Sequence, residues 1–560
     1  MSAHVVRWSK FVSIPLLCTL AAACGQGALQ SPPPESSSTA TELAEPFWLS
    51  DNPSRPGRAH AIPQIAKVSR VLQLGPDELA AAAKLQPEGL RMAPRQTAAV
   101  TPTRIVTGLY SLTFHQESTT TLEPQDLSSF QIKALVPNAG GFDTFTGTGH
   151  TDGTFSIPGV PVGNYWLTIG SNFLWTSNDH VEWVFDTYGR PDVAFATIDP
   201  TDLVVNATNL SAWQVTDELQ WSVPAHGWLA SLSGFGPTPA VGAVALTNYD
   251  LNFSELGFPL PDASKGDQAY LCQLTTRTLP GTSYRSLGKV VNLPATTMVD
   301  GTSTTVNSGF LDVPQTSSLR LNWKRSALSA MAPQVNPAAT VVGTEIGLWV
   351  TPLGLNVGVP GTAFQLLTDD SGPNGATTDV DYGDALYGNP FPASWPLLAE
   401  TYFNFSVSYL APGATMPAQV VRSAYTATST QPTATSPIAP QVGPALNPRI
   451  NGKDLFSNQV AVGTSPAISW DPPSLGVPTI YLVRLLELRN NGGASQILTR
   501  ASFRTPLTSF TIPPGLMVAG STYVFTISAQ QNPGIQAGEY PFRSQLPFSS
   551  APLMSAIVAP

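Results

Sequence analysis

The chain has 560 residues, which is enough for several domains of ordinary size. Only 11% of its residues are charged, compared with about 25% in a typical soluble protein. The formal net charge is −10 and the basic residues form no cluster, so the composition argues against nucleic acid as a partner.

Residues 1–23 have the organisation of a secretory signal peptide. Arg7 and Lys10 lie in a start that contains no acid, and an apolar run extends from Phe11 to Ala23. The run is too short to cross a bilayer as a helix but has the length of the apolar part of a signal peptide. The small residues at its end fit the narrow pockets of a signal peptidase. We therefore predict an exported protein.

Cys24 directly follows the small residues Ala21–Ala23. This stretch resembles the lipobox of bacterial lipoproteins, which implies that Cys24 is acylated, carries palmitate and becomes the first residue of the mature chain. The family usually has Leu three positions before the Cys, whereas Leu20 lies four before it, so ordinary cleavage remains the alternative. Gly25, where an Asp would favour the inner membrane, implies by the same resemblance an outer-membrane lipoprotein of a Gram-negative cell envelope.

Two segments separate the signal from the first predicted domain. Residues 24–46 are rich in Ser, Thr, Pro, Ala and Glu and can bury little apolar surface, so we predict a disordered tether. Residues 47–101 form a transition segment. Within it, Gly75–Lys84 has the early Pro and acids and the later alanines of one short helix.

From residue 102 onward, short runs of β-branched and aromatic residues alternate with turn residues. The chain contains 53 Pro and 45 Gly, which makes long helices improbable. The predicted fold class is all-β, with several β-sandwich domains in series.

The first predicted domain covers 102–200. Asp152-Gly153 is typical of a tight turn, and Phe155 and Ile157 alternate on the strand that follows. After a second turn, the alternating apolar positions are Tyr165, Leu167 and Ile169. This stretch resembles the carboxypeptidase regulatory-like domains, a transthyretin-like β-sandwich family. The resemblance implies that the two strands form a core hairpin and that the domain is structural or binding rather than catalytic.

The last predicted domain covers 440–560. Trp470 stands at the end of one apolar run, and Tyr523 begins another. The pattern resembles a fibronectin type III domain. The resemblance implies that Trp470 lies in the core and that the hydroxyl group of Tyr523 bonds to the backbone upstream in a tyrosine corner.

The region 201–435 resembles no family, and its pattern fits one large sandwich or two. A Thr-, Ser- and Pro-rich stretch, Ala427–Gln441, is predicted to link it to the last domain. The runs expected to form strands are Asp202–Ala207, Gln220–Val223, Ala243–Leu246, Ser318–Trp323, Gly347–Val350 and Tyr402–Tyr409.

No local catalytic motif occurs, and the histidines lie singly among turn residues. We therefore expect no catalytic activity, although a site assembled from distant residues of 201–435 would make the protein an envelope hydrolase. Cys272 has no expected disulfide partner, because Cys18 lies in the signal and Cys24 would be lipidated. Its apolar surroundings predict a buried, inert thiol.

The richest acidic segment contains five carboxylates that could supply oxygen ligands to calcium. The alternative interpretation is a solvated acidic loop, and no other cofactor is expected. The candidate ligands are Asp369, Asp370, Asp379, Asp381 and Asp384.

Trp175 and Trp183 flank a polar turn in the first predicted domain. Aromatic rings stack on sugar rings, so these two residues are candidates for a ligand-binding face, with core packing as the alternative.

The sequence as a whole predicts a membrane-attached envelope protein with a structural, adhesive or protein-binding role at the cell surface. The alternative function is carbohydrate binding in polysaccharide handling.

Overall fold

The computed structural model describes residues 72–74, 102–232, 237–352, 364–371, 377–429, 437–534, 541–543 and 545–560. These residues contain 31 strands and three short α-helices, so the all-β prediction is confirmed. None of the helices described is long and apolar enough to cross a membrane. The predicted signal, Cys24, the tether and the predicted helix Gly75–Lys84 lie outside the described residues.

The first module, residues 103–188, is a sandwich of two sheets. One sheet contains β1, β2, β5, β6 and β9, and the other contains β3, β4, β7 and β8. Their facing side chains form a common core that includes Val106, Leu167 and Phe185. The strands are β1 (Thr103–His115), β2 (Thr120–Pro124), β3 (Ile132–Asn138), β4 (Gly141–Thr146), β5 (Thr148–Gly149), β6 (Thr154–Pro161), β7 (Tyr165–Ile169), β8 (Asn172–Thr176) and β9 (His180–Tyr188).

The predicted hairpin of this module is wrong, although both of its strands exist. Strand β6 pairs with β1 and β5, whereas β7 pairs with β3 and β8. Phe155 on β6 and Leu167 on β7 therefore reach the core from opposite sheets. Alternation predicts which side chains face inward but carries no information about the partner strand, because the same pattern suits a hairpin and two facing sheets.

The second module, residues 202–312, is a sandwich with a separate core around Trp221 and Phe253. Strand β10 pairs with β13 and β16, while β11 pairs with β12 and β14, and β14 pairs with β15. The elements are β10 (Asp202–Thr208), β11 (Glu218–Val223), β12 (Trp228–Ser231), β13 (Leu246–Asn252), α1 (Phe253–Leu256), β14 (Tyr270–Leu279), β15 (Thr282–Asn292), β16 (Ser303–Gly309) and β17 (Leu311–Asp312).

The third module, residues 317–428, has the small sheet β18–β21 and a larger sheet in which β20, β19, β22 and β23 are neighbours. The region 201–435 thus contains two sandwiches, one of the two arrangements its pattern fitted. The elements are β18 (Ser317–Trp323), α2 (Arg325–Ser329), α3 (Ala332–Val335), β19 (Thr340–Val350), β20 (Phe364–Ser371), β21 (Val380–Tyr387), β22 (Leu397–Tyr409) and β23 (Ala418–Thr428).

The fourth module, residues 446–560, places β25, β24, β26 and β29 in one sheet and β28, β27, β30 and β31 in the other. It is a β-sandwich with Trp470 buried in its core, the position that the resemblance in the sequence implies. The strands are β24 (Leu446–Ile450), β25 (Lys453–Asp454), β26 (Ala467–Asp471), β27 (Ile480–Asn491), β28 (Ala494–Thr505), β29 (Ser509–Thr511), β30 (Thr522–Gln531) and β31 (Phe548–Met554).

Tyr523, at the start of β30, forms the predicted tyrosine corner. The backbone N–H of Val518 donates a hydrogen bond to its hydroxyl oxygen over 2.9 Å. The bond ties the connection before β30 to the strand itself.

The four modules share one sheet of 17 strands. Strand β15 pairs with β20, β23 pairs with β31, and β28 pairs in parallel with β8. The first of these pairings joins the second module to the third, the next joins the third to the fourth, and the last joins the fourth back to the first. The modules follow one another along the chain, yet their backbone hydrogen bonds continue across every one of these junctions.

Candidate functional site

Trp183, one of the two predicted ligand-binding residues, lies in the core of the first module with 0% of its surface exposed. Its strand β9 pairs in parallel with β1, and the ring packs on that of Phe542 with centroids 4.5 Å apart. The expectation that Trp183 lies on the surface is therefore wrong, because residues alternate along β9: His180 and Glu182 point away from the core, whereas Trp183 points into it. A sugar ring does not reach a side chain in this position.

Trp175, the other predicted residue, lies on β8 and is half-buried. Its ring meets that of Trp166 edge-to-face, with centroids 5.2 Å apart. Trp166 in turn contacts Phe503 and Phe510 of the fourth module, at 5.5 and 5.0 Å. The two predicted tryptophans thus contribute mainly to packing: Trp175 beside the contact of the first and fourth modules, and Trp183 in the first module's core, where it meets Phe542.

The candidate calcium ligands that the structure describes bind separate partners. Asp369 accepts a hydrogen bond from the hydroxyl of Tyr382, whereas Asp381 pairs with Arg320 at 2.7 Å. Asp379 accepts bonds from the backbone and hydroxyl of Ser326, and these bonds lower its pKa.

Asp384 is exposed on β21, and the side chain of Asp370 is outside the described part. Among the described residues, no three His, Cys, Asp or Glu side chains come close enough to hold a metal ion. Asp369, Asp379 and Asp381 thus each have a separate partner.

A buried polar cluster that was not predicted lies where the connection after the first module meets the second module. The guanidinium of Arg190 binds both carboxylate oxygens of Asp267, at 3.1 and 2.7 Å. Nε2 of His226 lies 2.6 Å from the same carboxylate, and both side chains are fully buried. Asp267 also accepts a bond from the backbone N–H of Asp262 over 2.8 Å.

This environment fixes the charge of Asp267. Burial alone would raise the pKa of its carboxyl group, but the hydrogen bonds from His226 and Arg190 outweigh burial and hold the pKa well below its usual range. Asp192 accepts hydrogen bonds from Lys265 and Arg190 on the exposed side of the cluster, and its pKa is lowered as well. The cluster therefore keeps its buried carboxylate ionised and paired.

Backbone contacts at the same junction leave no room for side chains. The N–H of Arg190 donates to the carbonyl of Ala225 over 3.0 Å. Gly189, with φ of +84°, lies so close that an added Cβ would be 2.3 Å from the carbonyl carbon of His226. Only glycine adopts this positive φ without strain and leaves room for the backbone of His226, so Gly189 permits the close approach of the two modules.

A second buried polar network joins the second module to the third. Glu345 on β19 accepts hydrogen bonds from Tyr402 and from the amide of Gln365, the latter over 2.6 Å. Gln365 accepts a bond from Gln220 on β11 of the second module. Glu218, also on β11, pairs with Arg285 at 2.9 Å. Buried groups of this kind are stable only when partnered, so the network fixes the two modules in one relative position.

An aromatic contact closes the fourth module on the first. Phe542 enters the first module's core, where its centroid lies 4.5 Å from that of Phe185. Arg504 also contacts this ring, with its guanidinium 4.4 Å from the centre of Phe542. The charged and aromatic groups described here thus serve to join modules.

Sequence reasoning missed these junction residues. Arg190 and Asp267 are 77 positions apart, and each stands among turn residues that look solvent-exposed. One local feature could have indicated the junction: Gly189, a glycine directly after an apolar strand, is typical of a close backbone approach.

The sequence matches no family model and no curated protein. Among solved structures, the chain is similar to the FN1–FN3 domains of chicken CNTN1, with 11% identity over 66% of this chain and 98% of that one, and a TM-score of 0.11. It is also similar to a tetra-tandem repeat from the extending region of a large adhesion protein, with 14% identity over 81% of this chain and 98% of that one, and a TM-score of 0.11. TM-scores of this size carry no argument about function.

Proposed function

We propose that this protein is an exported, lipid-anchored envelope protein whose four modules act as one rigid body with a structural or adhesive role towards another surface protein. The lipid is attached at Cys24, and the body has no catalytic task. The proposed site of action is the outer membrane of a Gram-negative envelope.

One observation carries the structural part of this proposal: two well-partnered polar clusters, one around Asp267 and one around Glu345, are buried where modules meet. Asp267 and Glu345 each have less than 5% of their surface exposed, and both connect neighbouring modules. A buried ion pair or hydrogen-bond network stabilises one arrangement of its surroundings, because any movement leaves a polar group without a partner. Such connections suit a protein that must keep its shape.

The anchor supports the same role through the position of Cys24 after a signal-like stretch. Metabolic labelling with radioactive palmitate in a Gram-negative host tests it directly. Wild-type chain should be labelled and should fractionate with the outer membrane, while Cys24→Ala should lose both properties.

Cys18→Ala is the matched control, because this residue lies within the signal stretch and should leave labelling intact. Label that persists in Cys24→Ala would overturn the lipid assignment. An unlabelled wild-type chain recovered in the soluble fraction would overturn the membrane attachment as well.

A further inference from the structure

Three residues that precede the first module in the chain are docked against the third and fourth modules. The N–H of Leu72 donates to the carbonyl of Ser408 over 2.9 Å, and the N–H of Leu410 donates to the carbonyl of Leu72 over 2.8 Å. The side-chain amide of Asn458 donates to the carbonyl of Gln73 over 2.6 Å. The side chain of Leu74 is buried in the large core that the modules share.

Leu72 docks on a part of the edge of β22 that no other strand of the described sheet covers. Strand β19 covers one edge of β22 but begins at Thr340, opposite Ser406. Strand β23 covers the other edge of β22 as far as Tyr409. Leu72 bridges in parallel to Tyr409 and so continues the ladder beyond the start of β19. An unpaired strand edge binds an added segment through backbone hydrogen bonds, which is what these residues supply.

We propose that Leu72–Leu74 is a clip that fixes the N-terminal segment to the seam between the third and fourth modules, and that its opening changes the reach of the anchored body. The consequence for reach rests on the proposed lipid at Cys24, whereas the clip itself does not. Its binding groups are few, so it can open without unfolding any module.

The change in reach follows from chain length. Cys24 precedes Leu72 by 48 positions and Thr103 by 79. A fully extended chain spans at most about 3.6 Å per residue, so the chain between the anchor and the body can span no more than roughly 170 Å when the clip is closed and no more than roughly 280 Å when it is open. With the clip closed, the body is held at the seam between its third and fourth modules. With it open, the body is held through its first module.

Single-molecule pulling between the unlipidated Cys24 thiol and a C-terminal handle tests the clip on the full chain. We expect one early rupture that lengthens the chain by up to roughly 110 Å before any module unfolds. Hydrogen exchange gives an independent reading, because the amide of Leu410 is protected by the carbonyl of Leu72.

Leu72→Pro, which removes the donated N–H, and Leu74→Asp, which places a charge in the core, should each abolish the early rupture and speed exchange at Leu410. Gln73→Ala is the matched control, because its side chain is exposed and only its carbonyl takes part. Exchange at Phe403, in the middle of β22, should be unchanged in all variants.

A wild-type chain without the early rupture would overturn the clip, and so would Leu410 exchange that is the same in wild type and Leu72→Pro. Failure of palmitate labelling is a separate result that removes only the consequence for reach.

Discussion

Phe542 of the fourth module lies against Trp183 in the core of the first, with the two ring centroids 4.5 Å apart. The residues are separated by most of the chain, yet both are almost fully buried in the same core. The first module therefore lacks part of its core until the fourth is in place.

Phe542→Ala should lower the free energy of unfolding by about 3–5 kcal/mol, because it removes a buried aromatic ring and leaves a cavity. Denaturant unfolding followed by tryptophan fluorescence measures this, since Trp183 lines the cavity. Phe542→Leu should retain most of the stability. Equal stability of the alanine variant and wild type would contradict the role given to this contact.

Tyr523→Phe should destabilise the protein by about 1–2 kcal/mol, because it leaves the N–H of Val518 without its acceptor in the tyrosine corner. Thermal unfolding of the two proteins measures the difference. Val518→Ala keeps this N–H and changes a side chain that is largely exposed, so it should be nearly neutral. A tyrosine variant as stable as the valine variant would show that the bond contributes nothing.

Asp267→Asn should lower stability by about 3 kcal/mol at neutral pH, because it breaks a buried ion pair with Arg190. The folded-state pKa of Asp267 is depressed, so its contribution is complete above the unfolded pKa of about 3.9 and is lost as pH falls towards the folded value. The difference between wild type and variant should therefore shrink below roughly pH 4.

Denaturant unfolding at pH 7 and at pH 3 tests this dependence. Asp192→Asn is the matched control. It also removes a carboxylate from Arg190, but its side chain is 56% exposed, so the loss should be at most about 1 kcal/mol. A difference for Asp267→Asn that stays constant between the two pH values would contradict the assignment.

Gly189→Ala should disrupt the junction of the first two modules, because the new Cβ meets the backbone of His226 and the residue has a positive φ. We expect a loss of several kcal/mol, on the order of 3 or more. Gly242→Ala separates the two causes, since Gly242 has φ of +83° but nothing within 4 Å of an added Cβ. If both variants lose the same stability, backbone strain alone explains the effect.

Cys272 should react with a thiol reagent only after unfolding. It is buried on β14, and burial raises the pKa of its thiol well above the usual range, so the thiolate is scarce at neutral pH. Ellman's reagent at pH 8, added to native and to denatured protein that carries both Cys18→Ala and Cys24→Ala, measures this. Rapid labelling of the native protein would show that the strand opens in solution.

The sequence predicted best those features that depend on neighbouring residues. Trp470 and Tyr523 stand in local patterns that specify a core position and a corner, and both are found there. Phe155 and Leu167 were placed inward correctly but in the wrong partnership, because strand pairing depends on distant residues.

The contacts between modules could not be predicted from local patterns either, because they too depend on residues that are distant in the sequence. Arg190 and Asp267 acquire their roles only when two modules meet, and neither has a neighbouring residue that indicates a buried partner. Trp183 follows polar residues that suggested the surface, and only the tertiary packing on Phe542 shows otherwise. Composition predicts how much a chain can bury but not which modules cover each other.

The parallel pairing of β8 with β28 has a consequence for the order in which the molecule is made. The ribosome completes residues 172–176 long before it reaches 494–505, so the early strand waits for a partner that does not yet exist. Its edge is open throughout that interval and is exposed to pairing with other chains. Folding after synthesis ends lets β8 and β28 pair directly, whereas earlier folding of the first module leaves this edge unpaired.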